Sequence, residues 1–120
     1  PDIVAIAVAK GVAHGMPSIA ALAREALALA GLPGEVLDED VLIESAWLGA
    51  DYAVATSESR YAQQWAAHTL GIVLDDVYTA KGMSGLLGLV RLGRWTAGDD
   101  VVFVHTGGHP EVFVRALEEQ

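Results

Sequence analysis

Three short apolar runs, at 3–8, 41–46 and 101–105, are separated by stretches whose apolar residues recur every three or four positions. That alternation limits the chain to few architectures. The run at 3–8 lacks strict in–out alternation, so it reads as a strand covered on both faces. Strands joined through helices run parallel, and the connecting helices cover the sheet. The expectation is an α/β domain over residues 1–120, a parallel sheet with flanking helices in the order β-α-β-α-α-β-α. A chain of 120 residues holds one core rather than two.

Local signals place the helices. Residues 11–15 read as a loop, and Pro17 with Ser18 opens the first helix. Ile19, Leu22, Ala23, Ala26, Leu27 and Ala30 give it an apolar stripe, and Gly31 with Pro33 ends it. An acidic turn at 34–40 leads to the strand at 41–46. Thr56 or Ser57 caps a second helix that runs through Tyr61, Trp65 and Leu70 to Gly71. A third begins at Thr79 or Ala80, carries Met83, Leu86, Leu87, Val90 and Leu92, and stops at Gly93. Residues 106–108 form a tight loop, and His109 with Pro110 starts a last helix to about residue 119.

Charge and composition exclude several functions. Sixteen acidic side chains against seven basic give a net charge of −9, which repels phosphate backbones, so no nucleic-acid partner is expected. With no cysteine, disulfides and thiolate chemistry are out. His14, His68, His105 and His109 lack a metal-site spacing, so no metal is expected. No apolar run reaches the ~18–20 residues that span a bilayer. The densest stretch, 19–32, is broken by Arg24 and Glu25. Asp2 stands where a secretion signal is basic, so the expected setting is the cytoplasm. Thirteen glycines in a chain that is 52% apolar point either to a partner surface or to a compositional bias.

Ligands of parallel sheets gather at the carboxyl ends of strands, here the loops at 9–15, 47–56 and 105–109. Within the last, Thr106, Gly107 and Gly108 let backbone approach a ligand, or simply turn the chain. Tyr78, just before a helix start, can aim its phenol into a cleft to donate a proton or orient a carboxylate, or can sit at the core edge. Tyr52 has the same two readings. Lys81 lies in the first helical turn, where the dipole disfavours a cation, which leaves packing or hydrogen bonding as its role. Asp75, Asp76, Asp99 and Asp100 read as solvated turn residues, and Trp47, Trp65 and Trp95 as core or interface.

The segment 74–86, Leu-Asp-Asp-Val-Tyr-Thr-Ala-Lys-Gly-Met-Ser-Gly-Leu, is followed by 102–110, Val-Phe-Val-His-Thr-Gly-Gly-His-Pro. In that order and separation they resemble the carboxyl-terminal part of the D-cysteine desulfhydrase and 1-aminocyclopropane-1-carboxylate deaminase family. The resemblance is strong over 71–113 and looser before it. It implies a pyridoxal-phosphate lyase of tryptophan-synthase-β-like fold. It makes Tyr78 and Tyr52 the active-site tyrosines, with Thr106, Gly107 and Thr79 beside the cofactor. Thr79 and Thr106 match the desulfhydrase branch, where the deaminase branch has Glu and Leu. The resemblance therefore leans toward β-elimination from D-cysteine or a related amino acid, giving pyruvate, ammonia and sulfide. Three departures stand out: Asp76 for Pro, Ala80 for Gly, and Leu70 for Glu. The family's Tyr-Gly-Val-Pro-Asn reads Tyr-Ala-Val-Ala-Thr at 52–56.

Family members are several times longer, and their cofactor lysine lies in a part this chain lacks. Lys10 and Lys81 are the two lysines here, and Lys81 matches the family's helix-start lysine instead. The expected partners are an amino-acid substrate and the amino-terminal portion of the enzyme or a second chain, with a homo-oligomer expected. The isolated chain should be inactive. The alternative is a non-catalytic α/β module that dimerises or binds a small anion at Gly107 and Gly108.

Overall fold

A computed structural model describes residues 2–9, 11–108 and 113. The architecture is α/β. Strands β1 (Val4–Ile6) and β2 (Leu42–Glu44) form a two-stranded parallel sheet, with Val4 opposite Leu42 and Ile6 opposite Glu44. Helix α1 (Val12–Ala30) connects them. Helices α2 (Ser57–Leu70) and α3 (Thr79–Arg91) follow.

Helix ends follow the local chemistry. Gly31 takes the left-handed conformation (φ 65°) after α1, its N–H donating to Ala28 O while Leu32 N–H reaches Leu27 O. Gly93 (φ 77°) ends α3 in the same way, with Arg94 N–H on Leu89 O. At the start of α2, Thr56 Oγ1 accepts from Ser59 N and Ser59 Oγ accepts from Thr56 N, so two orphan donors are satisfied reciprocally.

The core lies between α2 and α3. Ala62 and Ala66 let the helices approach closely, and Leu74, Ala80 and Met83 fill the seam, backed by Trp65, Leu86 and Phe103. Gly82 receives the Phe103 ring, and Gly85 receives Ile6, so α3 is clamped between the 101–105 segment and β1. Trp47 lies across Gly88 on another side of α3.

Three expectations are corrected. Helix α1 begins at Val12, not at Pro17, because the backbone from Val12 onward is already helical and Gly15 N–H closes a bond to the O of the extended Gly11. Pro17 is therefore interior and costs the helix one backbone donor. The run at 101–105 pairs with no strand among the described residues and is not a strand, which needs a hydrogen-bonding neighbour. Asp75 is fully buried rather than solvated. The expected helix at 109–119 lies outside the described residues, apart from Phe113.

Much apolar surface is uncovered. Leu22 and Leu29 on α1, Ile3 beside β1, and Val102 and Val104 are all exposed, Leu29 by 94% and Val102 by 84%. Among the described residues no helix is long and apolar enough to cross a membrane.

Candidate active site

Asp75 organises the start of α3. One carboxylate oxygen accepts from the amides of Val77 and Tyr78 at 2.8 and 2.7 Å. The other accepts from the amide and the hydroxyl of Thr79. Asp75 N–H in turn donates to Thr79 Oγ1 at 2.9 Å. Helix starts leave amides without partners, and this carboxylate satisfies that of Thr79 while holding the amides of Val77 and Tyr78 in the turn before it. Burial by itself would raise the Asp75 pKa. The Thr79 hydroxyl and the amides of Thr79, Tyr78 and Val77 outweigh burial and hold the carboxyl below its ordinary value.

The Gly107–Gly108 turn lies on this cap. Both glycines have positive φ (108° and 92°), and a Cβ on Gly108 would overlap the Asp75 carboxylate. His105 braces the turn. Its Nδ1 accepts from Gly107 N at 3.2 Å, so Nε2 carries the proton and donates to Val73 O at 3.1 Å.

With its backbone fixed by Asp75, Tyr78 projects to a half-exposed position and its hydroxyl is hydrogen-bonded to that of Tyr52. The two rings meet edge to face, 5.9 Å between centroids. Tyr52 comes from the 48–56 loop, which bends through Ala53 in the left-handed region (φ 59°). Two phenols in contact can share or relay one proton, and either can present it to a third group.

Tyr78 also borders a cavity of about 610 Å³ with Thr79, Gly82, Thr106, Phe103 and Ile6 among its walls. Tyr78 and Thr106 thus face one space, as do Thr79 and Thr106. Thr79 borders it with its hydroxyl already engaged by Asp75. Tyr52 and Gly107 are not on that wall; the Tyr52 hydroxyl meets it through that of Tyr78. None of the described lining residues is basic, and Asp2 and Asp100 sit on the rim. Among the described residues no cluster of three or more His, Asp or Glu side chains could hold a metal.

Sequence reasoning missed Asp75. The signal was present in its placement four residues before Thr79 at a helix start, where a carboxylate is a natural cap.

In this α/β chain Tyr78, Thr79 and Thr106 line one cavity, and Tyr52 joins it through the Tyr78 hydroxyl. No protein-family profile matches the chain. Curated proteins do. The chain is 32% identical over 92 residues to a 1-aminocyclopropane-1-carboxylate deaminase of Burkholderia cenocepacia, covering 77% of this chain and 27% of that protein. It is 34% identical over 89 residues to the Methylobacterium nodulans enzyme of the same name, covering 74% and 26%. A probable 1-aminocyclopropane-1-carboxylate deaminase of Cryptococcus neoformans is 33% identical over 89 residues, covering 74% and 26%. The chain is related in sequence to the 1-aminocyclopropane-1-carboxylate deaminase family, across about a quarter of the length of these relatives.

Proposed function

We propose that this chain supplies one wall of the active site of a pyridoxal-phosphate-dependent lyase acting on a small amino acid. The observation that carries the reading is the Tyr52–Tyr78 hydroxyl pair at the edge of a cavity shared with Thr106.

The residues present fit the cofactor's ring face and not its anchors. Thr106 offers a hydroxyl to a ring bound in the cavity, and the neighbouring Gly107 adds no side chain beside it. No described basic group lines the cavity to meet a phosphate. Lys81 is buried and bonded to two carbonyls, so it is not available as the covalent anchor. Lys10 lies outside the described residues. Both anchors therefore come from the amino-terminal portion of the enzyme or from a second chain, and the exposed apolar residues of α1, Ile3 and 101–104 are surface for such a partner to cover. The assembly is proposed as a cytoplasmic homo-oligomer.

When bound, the cofactor withdraws electrons from the substrate's α-carbon. Tyr78 orients the substrate carboxylate or moves a proton at the leaving group, and Tyr52 holds the Tyr78 phenol and exchanges a proton with it. Thr79 stands where the deaminase branch has a carboxylate, and a neutral group there asks less of the cofactor as an electron sink than a carboxylate would. That favours expulsion of a good leaving group, as in D-cysteine, over opening of a cyclopropane ring. The Thr79 hydroxyl is engaged by Asp75, so what this position contributes is the lack of a carboxylate rather than a bond to the ring. Anion binding by the isolated module is less favourable, since the buried Asp75 carboxylate lies directly beneath Gly108.

Complementation tests the reading. The chain is co-expressed with the Burkholderia cenocepacia relative truncated to the part this chain does not match. The expected result is a complex that takes up pyridoxal phosphate, with a band at ~410–420 nm. It should release pyruvate and sulfide from D-cysteine, and Tyr78→Phe should abolish turnover while the band remains. A complex that forms but never binds the cofactor would overturn the proposal. Release of ammonia from 1-aminocyclopropane-1-carboxylate alone would overturn the D-cysteine assignment.

A further inference from the structure

The most deeply placed cation of the described chain is not at the cavity. Lys81 is fully buried, and its ammonium donates to Leu48 O at 2.8 Å and to Asp51 O at 2.9 Å. Burying an ammonium costs several kcal/mol unless hydrogen bonds replace its water, so a buried lysine satisfied by backbone carbonyls holds those carbonyls firmly. Both acceptors belong to one loop, and that loop carries Tyr52. Lys81 itself lies three residues after Tyr78 on the same helical start. One element therefore presents Tyr78 and, from its first turn, the cation that ties down the loop bearing Tyr78's partner.

Leu48 N–H donates to Ser45 O at 3.1 Å at the start of the loop. Asp51 O also accepts from Val54 N, at a long 3.4 Å, and Tyr52 N donates to Asp51 Oδ1 at 2.7 Å. Gly49 (φ 80°) brings its backbone to within van der Waals reach of Nζ, where a Cβ would stand 3.9 Å from it and 2.6 Å from Thr56 Cγ2.

We infer that Lys81 is a positioning residue. By bonding the carbonyls of Leu48 and Asp51 it sets the Tyr52 hydroxyl against that of Tyr78. The consequence for turnover rests on the proposed lyase reading, whereas the geometry does not.

The test follows the tyrosine rings by NMR in the chain as it stands. There are three tyrosines, so Tyr61→Phe leaves only the pair. Lys81→Met keeps the side-chain volume and removes the donors. The expected result is loss of the Tyr52–Tyr78 ring cross-peak while the Met83 and Leu74 methyl signals of the core stay in place. A cross-peak that survives Lys81→Met overturns the inference. Should Lys81→Met lose the core signals, Lys81→Arg decides. It keeps a cation and donors, so a retained cross-peak supports the inference, and a lost one over an intact core overturns it. No cofactor enters the measurement, so its failure leaves the lyase reading standing, and failed complementation leaves the positioning result standing.

Discussion

Gly108 is seated on Asp75, and a Cβ built on it would stand 2.2 Å from Oδ1 and 2.5 Å from Cγ. That contact joins the two sequence blocks of the site, the Tyr78 helix start and the Thr106 turn, through a carboxylate that both of them bury.

Gly108→Ala should therefore be far worse than Gly107→Ala. Both positions have positive φ, and placing Cβ there costs roughly 1–2 kcal/mol. At Gly107 the added carbon meets open space, so that strain is the whole effect. At Gly108 overlap with a buried group adds about 1–3 kcal/mol. Urea denaturation of the two variants measures the gap, and equal midpoints would show that the turn does not rest on Asp75.

Asp75 also sets an acid limit. Its folded pKa lies below its ordinary value of 3.8, so the unfolded chain binds its proton first as pH falls. The stability contributed by its carboxylate is complete above pH 3.8 and is lost as pH drops through the lower folded value. Asp75→Asn keeps the shape and removes the titration. The variant should be less stable at neutral pH, with the gap to wild type narrowing below pH 3.8. Denaturant midpoints across the acid range check this, and a gap that stays constant would exclude Asp75 as the source.

Ala53 carries strain that its neighbours do not. At φ 59° it is the one described non-glycine residue with positive φ. Ala53→Gly should stabilise the chain by about 1 kcal/mol, the left-handed penalty less the entropy that glycine adds to the unfolded state. Thermal unfolding reads the sign. A destabilised variant would mean that the Ala53 methyl makes a contact worth more than the strain.

The sequence conveyed type and order better than packing. Thr56 and Gly71 marked α2 correctly because caps are local chemistry, decided by a few adjacent residues. Thr79 at the start of α3 was legible for the same reason. The run at 101–105 looked like a strand, since β-branched residues fit an extended chain. Whether such a run finds a partner depends on distant segments, and its described part finds none. Pro17 misled because proline is also tolerated inside a helix where the rest of the turn holds. Tyr52 and Tyr78 were chosen by resemblance, but their contact is a long-range fact that depends on Lys81 and the loop it grips. Asp75 reads as solvated because an Asp-Asp pair in a turn usually is; the amides it caps and the overlying Gly108 bury it instead.

The junction of α3 with β1 rests on Gly85. A Cβ there would lie 2.7–2.8 Å from three side-chain carbons of Ile6. Two effects of Gly85→Ala oppose each other. Helix propensity gains roughly 0.5–1 kcal/mol, since glycine is costly inside a helix. Overlap with Ile6 costs about 1–3 kcal/mol, which wins, so the variant should be destabilised. Ile6→Ala removes every carbon that clashes, and in that background the same Gly85→Ala change should turn neutral or stabilising, because only the propensity gain remains. A double-mutant cycle on unfolding free energies isolates the coupling. If Gly85→Ala lowered stability equally in both backgrounds, the close approach of Ile6 to α3 would not be what requires glycine at this position.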